Sequence, residues 1–195
     1  MFITTPSFRK FIFEYIHIGR LIVGYSDIEL ALYNLIKITK NPNENILKKM
    51  IKGNTAKVRI DKAKAIGFEK FKKNKLENEF DSCINFIKHC KDIRNLYAHS
   101  NYWDANWKYL MFTEIEKLAK QKNCDDDISK AKTHPITSEL LLEQLEFYDY
   151  TIKYIFWLNN EVRFRMNMLE KNVFDKPITR TFPKLKENEI DLTSV

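Results

Sequence analysis

The segment Lys91-Asp92-Ile93-Arg94-Asn95-Leu96-Tyr97-Ala98-His99-Ser100 gathers side chains that can move protons and hold phosphate. Histidine is the one side chain whose unperturbed pKa lies near neutrality, so His99 is the candidate acid/base group. Arg94 is permanently charged and presents a planar fork of donors, which suits a phosphate in transit. Asn95 and His99 stand at i and i+4, on one helical face, so Asn95 can orient the imidazole or a phosphate oxygen. Arg94 and His99 are five residues apart, about 140° around an ideal helix. They share a face only where the helix ends or unwinds, or where two chains assemble one site. Such a set fits RNA cleavage, in which the 2′-OH attacks the adjacent phosphate. The need for that hydroxyl makes RNA, not DNA, the expected substrate. Structural uses compete: a cationic histidine is favoured near a helix C-terminus, and Arg94 can pair with Asp92 or with a neighbouring helix.

The elements that must position these residues are mostly helical. Apolar residues recur at steps of three and four from Phe8 through Phe11, Tyr15, Ile18, Ile22, Tyr25, Ile28, Leu32 and Leu35, predicting one long helix over 8–38. Asn41-Pro42 reads as its stop, followed by a helix over 43–52 ending at Gly53 and a lysine-rich one over 55–66 ending at Gly67. Leu76, Phe80, Cys83, Ile84, Ile87, Cys90 and Ile93 form the stripe of a helix over 75–98 that carries the motif. Residues 100–112 lose the helical period, and a short strand pair near 102–112 fits them. A short helix at 113–121, a polar loop and a last long helix beginning near Thr137-Ser138 follow. The pattern fades after residue 170. The chain therefore reads as an all-α helical bundle over 1–170 with a loosely structured arm over 171–195.

Composition agrees and sets limits. The 195 residues include only four glycines and five prolines, too few for a turn-rich β-sandwich or glycine-rich phosphate loops. Hydrophobic residues make up 44%, enough for a core without staples. Cys83, Cys90 and Cys124 form no CxxC pair, no signal-like segment opens the chain, and no apolar run suits a membrane helix. A cytoplasmic protein is expected. The net charge of +7 is uneven, because residues 48–75 carry eleven basic residues against Asp61 and Glu69. Lys48, Lys49, Lys52, Lys57, Arg59, Lys62, Lys64, Lys72 and Lys73 are the candidate contacts to an RNA backbone. A solvated lysine face is the plainer account of the same residues.

The Arg-Asn-x-x-x-His arrangement, late in a long helix of an expected bundle, resembles the signature of the HEPN superfamily. That resemblance implies a homodimer with two motifs facing one cleft. It also implies metal-independent endoribonuclease activity with no cofactor, and a role in toxin–antitoxin or antiphage defence, with an antitoxin or defence-system protein as partner. Arg94 would stabilise the phosphate, His99 would move the proton and Asn95 would orient. On the same resemblance, Glu29 of the first long helix would support the arginine. Some HEPN toxins carry a tyrosine two residues after the histidine; Asn101 stands there, and Tyr102 follows. Tyr102, like Tyr97, can instead stack a base near the cut or serve as an ordinary packing aromatic, the role that suits Tyr97 better. One alternative is a catalytically inactive HEPN-like module that binds nucleotides or partner proteins. The other is a plain helical interaction protein.

The remaining candidates have plainer readings. Cys83 and Cys90, two turns apart on an apolar face, read as core. Asp125-Asp126-Asp127 lacks the companions of a calcium loop. Trp103 and Trp107 suit packing, a cleft wall or a dimer contact. His17 and His134 have no evident partner.

Overall fold

A computed structural model describes residues 10–39, 45–52, 55–105, 108–120 and 132–189. Its elements are α1 (Ile12–Lys37), α2 (Ile46–Ile51), α3 (Ala56–Lys73), α4 (Glu77–Ala98), β1 (Asn101–Ala105), β2 (Tyr109–Thr113), α5 (Ile115–Ala119), β3 (Thr133–Ile136) and α6 (Ser138–Arg165). The described chain is mostly helical, with one small antiparallel sheet of order β1-β2-β3. It divides into two compact units. One comprises Met1–Ile22, Asp92–Leu145 and Pro183–Val195, and the other Val23–Lys91 and Glu146–Phe182. Each boundary between 22 and 146 falls inside α1, α4 or α6, so a linear reading of the sequence shows no linker there.

In the unit built from 23–91 and 146–182, the core is Ile28, Leu32, Leu35 and Ile36 of α1, Ile60 and Phe71 of α3, Phe80, Ile84 and Ile87 of α4, and Ile155 and Leu158 of α6. Cys83 and Cys90 are free and buried, as their place in the stripe predicts. Burial pushes both thiols up, Cys90 to about 12.

The end of α3 departs from expectation. Gly67 does not stop the helix; α3 runs about 1.7 turns further, to Lys73. Gly67 serves close packing instead, since a Cβ there would lie 2.8 Å from Ile36 Cδ1 and 2.9 Å from Phe80 Cζ. The real stop is a Schellman turn. Lys75 takes the left-handed conformation at φ 57°, Leu76 N donates to Phe71 O at 2.9 Å, and Lys75 N donates to Lys72 O at 3.0 Å. Leu76 and Phe71 are both fully buried, supplying the apolar contact of that motif.

The other unit holds the sheet. Strands β1 and β2 pair with Tyr102 opposite Phe112 and Trp103 opposite Met111, the strand pair expected near 102–112. The Trp103 indole N–H donates to Thr113 Oγ1 at 2.9 Å. The sheet also has a third strand, β3, whose Met111–Pro135 and Phe112–His134 register was not expected. Four residues containing a proline read as loop; Pro135 is tolerated because β3 lies at the sheet edge. Thr137 caps α6 as predicted, its Oγ1 accepting from Leu140 N at 3.2 Å.

Candidate functional site

The last turn of α4 is fixed by three different donors. His99 N donates to Asn95 O at 3.1 Å, Ser100 Oγ to Leu96 O at 2.6 Å, and Tyr102 Oη to Tyr97 O at 2.6 Å. Carbonyls that a helix end leaves open are thereby satisfied. Tyr102 is committed to this task, and its ring meets Tyr15 edge-on at 6.2 Å. The half-buried Tyr102 thus holds the motif in place and is not an open base-stacking platform. Tyr97 is fully buried in the core, with its hydroxyl donating to Gln144 Oε1 at 2.9 Å.

Beside this turn lies a cleft of about 290 Å³. Its polar lining comes from Asp92, Asn95, His99 and Ser100 around the end of α4, Glu114, Glu116 and Lys120 around α5, and Lys186 from the C-terminal arm. Asn95 and His99 thus share one opening, as their i, i+4 spacing predicts. The His99 side chain is 56% exposed, which leaves it open to a solute, and its Nδ1 is 3.5 Å from Glu116 Oε1. Lys120 Nζ lies 3.4 Å from the other oxygen of Glu116. Arg94 is not among the lining residues; its Nη1 donates to Asn95 Oδ1 at 3.0 Å. The structure brings the three motif residues together through Asn95, with His99 alone reaching well into solvent.

The arm has neither helix nor strand through residue 189, but it is tied down. Gln144, fully buried, donates through Nε2 to Lys184 O at 2.8 Å and Leu185 O at 3.0 Å. Lys186 Nζ lies 2.6 Å from Glu114 Oε2 and 2.8 Å from His134 Nε2, and His134 Nδ1 lies 2.9 Å from Glu187 O. Buried Gln144 and His134 thus hold the carbonyls of Lys184, Leu185 and Glu187 within the arm expected over 171–195. Burial, then the Lys186 ammonium, lowers the His134 pKa. Residues 171–182, in the other unit, are tied as well: Arg180 Nη1 meets Glu146 Oε2 at 2.8 Å and the Phe182 ring packs 5.5 Å from that of Phe147.

The sequence does not single out Glu114, Glu116, Lys120 and Lys186, and it shows no partner for His134. They carry no local signal, and up to 91 positions separate Asn95 from Lys186 along the chain.

The residues expected to meet RNA lie on α2, α3 and their flanks. Lys48, Lys49, Lys52, Lys57, Lys72 and Lys73 are exposed and Lys62 is half-buried. Arg59 and Lys64 of the set pair with acids. Arg59 Nε donates to Glu29 Oε1 at 2.9 Å and Nη2 to Glu29 Oε2 at 3.1 Å, and Lys64 pairs with Asp81 at 2.9 Å. Glu29, expected to support Arg94, holds Arg59 by a two-pronged contact. Trp107, Cys124 and Asp125-Asp126-Asp127 lie outside the described residues. His17 is nearly buried, stacked on Phe13 at 3.9 Å. No helix among the described residues is long and apolar enough to cross a membrane. Compared with known proteins, this chain matches no family model, no curated protein and no solved structure.

Proposed function

We propose that this protein is a metal-independent endoribonuclease of the HEPN type, acting as a homodimer in a toxin or antiphage defence system. The observation that carries the reading is the common opening of Asn95 and His99 into one cleft, with His99 exposed and Arg94 in contact with Asn95. In the reaction, the ribose 2′-oxygen bonds to the adjacent phosphorus and the 5′-oxygen leaves. His99 moves the proton, and Arg94 and Asn95 meet the negative charge that gathers on the phosphorane. The products carry a 2′,3′-cyclic phosphate and a 5′-hydroxyl. The exposed lysines of α2 and α3 supply sequence-independent contacts to the RNA backbone.

The test is RNA cleavage in EDTA by wild type, His99→Ala and Arg94→Ala, with end-group analysis. Cyclic phosphate ends that vanish in both variants are expected. Cutting by His99→Ala at the wild-type rate refutes the mechanism.

One observation favours a second reading, a catalytically silent module, with a basic partner protein ahead of a nucleotide as its ligand. Three carboxylates, Asp92, Glu114 and Glu116, line the same cleft, and negative charge there opposes a bare phosphate. In that case the wild type leaves RNA intact, while His99→Ala changes ligand affinity.

A further inference from the structure

Building on the RNA reading of the cleft, we propose that Lys186, delivered by the C-terminal arm, is a phosphate-contacting residue of the site that holds His99. An ammonium group has three N–H donors. Two are used, one by Glu114 Oε2 at 2.6 Å and one by His134 Nε2 at 2.8 Å. The third is left for the cleft, which Lys186 lines together with Asn95 and His99.

His134 makes this arrangement specific. Its Nδ1 faces the Glu187 carbonyl at 2.9 Å. A carbonyl only accepts, so Nδ1 carries the ring proton and Nε2 offers a lone pair to the lysine. The lysine is therefore held by one charged and one neutral acceptor, and the neutral one cancels none of its charge. The Lys186 side chain is 27% exposed, so it is fixed by its neighbours yet open on one side. A cation already ordered before its ligand arrives loses little freedom on binding. Arg94 donates to Asn95 and does not line the cleft, so Lys186 adds a cation on the cleft wall itself, beside the charge that Arg94 brings through Asn95. His134 acts through the lysine and is a positioning residue.

The test measures affinity for a short single-stranded RNA, made uncleavable by 2′-O-methylation, across a salt series with the full chain. Lys186→Met is expected to bind roughly tenfold more weakly. It should also flatten the slope of log K against log salt by about 0.7, the share of one phosphate contact on a single strand. Lys186→Arg keeps the slope. His134→Asn weakens binding but keeps the slope, because the cation stays and only its placement loosens. Glu114→Gln binds more tightly, since a competing carboxylate is gone. A folded Lys186→Met with the wild-type slope overturns the assignment. Where Lys186→Met does not fold, Glu114→Gln decides, and unchanged or weaker binding overturns it. Wild type that fails to bind the RNA overturns it too. RNA cutting by the wild type alongside an unchanged Lys186→Met slope removes Lys186 and leaves the ribonuclease. A Lys186-dependent slope without cutting in EDTA does the reverse.

Discussion

Gly67→Ala separates two roles of a helical glycine. In an open helix the change gains about 1 kcal/mol from helix propensity. Here the new Cβ would sit 2.8 Å from Ile36 Cδ1 and 2.9 Å from Phe80 Cζ, both on fully buried side chains. Ordinary carbon contacts lie at about 3.5–4.0 Å, so each neighbour must retreat. The Phe80 ring stacks on Phe71 with centroids 4.1 Å apart and planes 6° apart, which blocks one direction of retreat. Overpacking of this kind costs about 2 kcal/mol, leaving a net loss of about 1 kcal/mol and a drop of roughly 2–4 °C in Tm. Ile36→Val removes one of the two clashing atoms and by itself costs about 1 kcal/mol. In that background Gly67→Ala should be close to neutral, a coupling of about 1 kcal/mol. Urea unfolding of the four proteins, at unchanged m-value, measures the cycle. Stabilisation by the full helix-propensity gain in the wild-type background, or additive single changes, would refute the close-packing account.

Two further outcomes are expected. The His134 pKa is lowered in the fold, so the unfolded chain binds more protons between that value and the ordinary pKa of about 6.5. This contribution is complete above pH of about 6.5 and is lost as pH falls through the folded value; His134→Asn should flatten the fall in urea midpoint between pH 7.5 and 5.5 relative to wild type. Gln144→Leu strands the Tyr97 hydroxyl and removes the donor to Lys184 O and Leu185 O. It should cost about 3 kcal/mol by denaturant titration, with part recovered by adding Tyr97→Phe, whereas a loss below about 0.5 kcal/mol would show that water replaces those bonds.

Much of the helical framework was legible in the sequence. Apolar residues at steps of three and four located α1, α4 and α6, because each buries a continuous stripe. The i, i+4 spacing of Asn95 and His99 was enough to place them on one face, because helical geometry is local. Gly67 looks like a stop in the sequence, since its packing role depends on Ile36 and Phe80, at 31 and 13 positions' distance in the chain. Strand β3 was missed because its hydrogen bonds come from β2 and not from its own four residues.

The sequence by itself therefore determined the long helices, the buried cysteines and the shared face of Asn95 and His99, all governed by near neighbours along the chain. Tertiary structure alone decided which partners the charged groups take. It gave Glu29 to Arg59 and brought Glu116 towards His99. It also set Lys186 between Glu114 and His134. Charges attract without regard to sequence separation, and a side chain reaches whichever opposite group the packed backbone sets within a few ångströms.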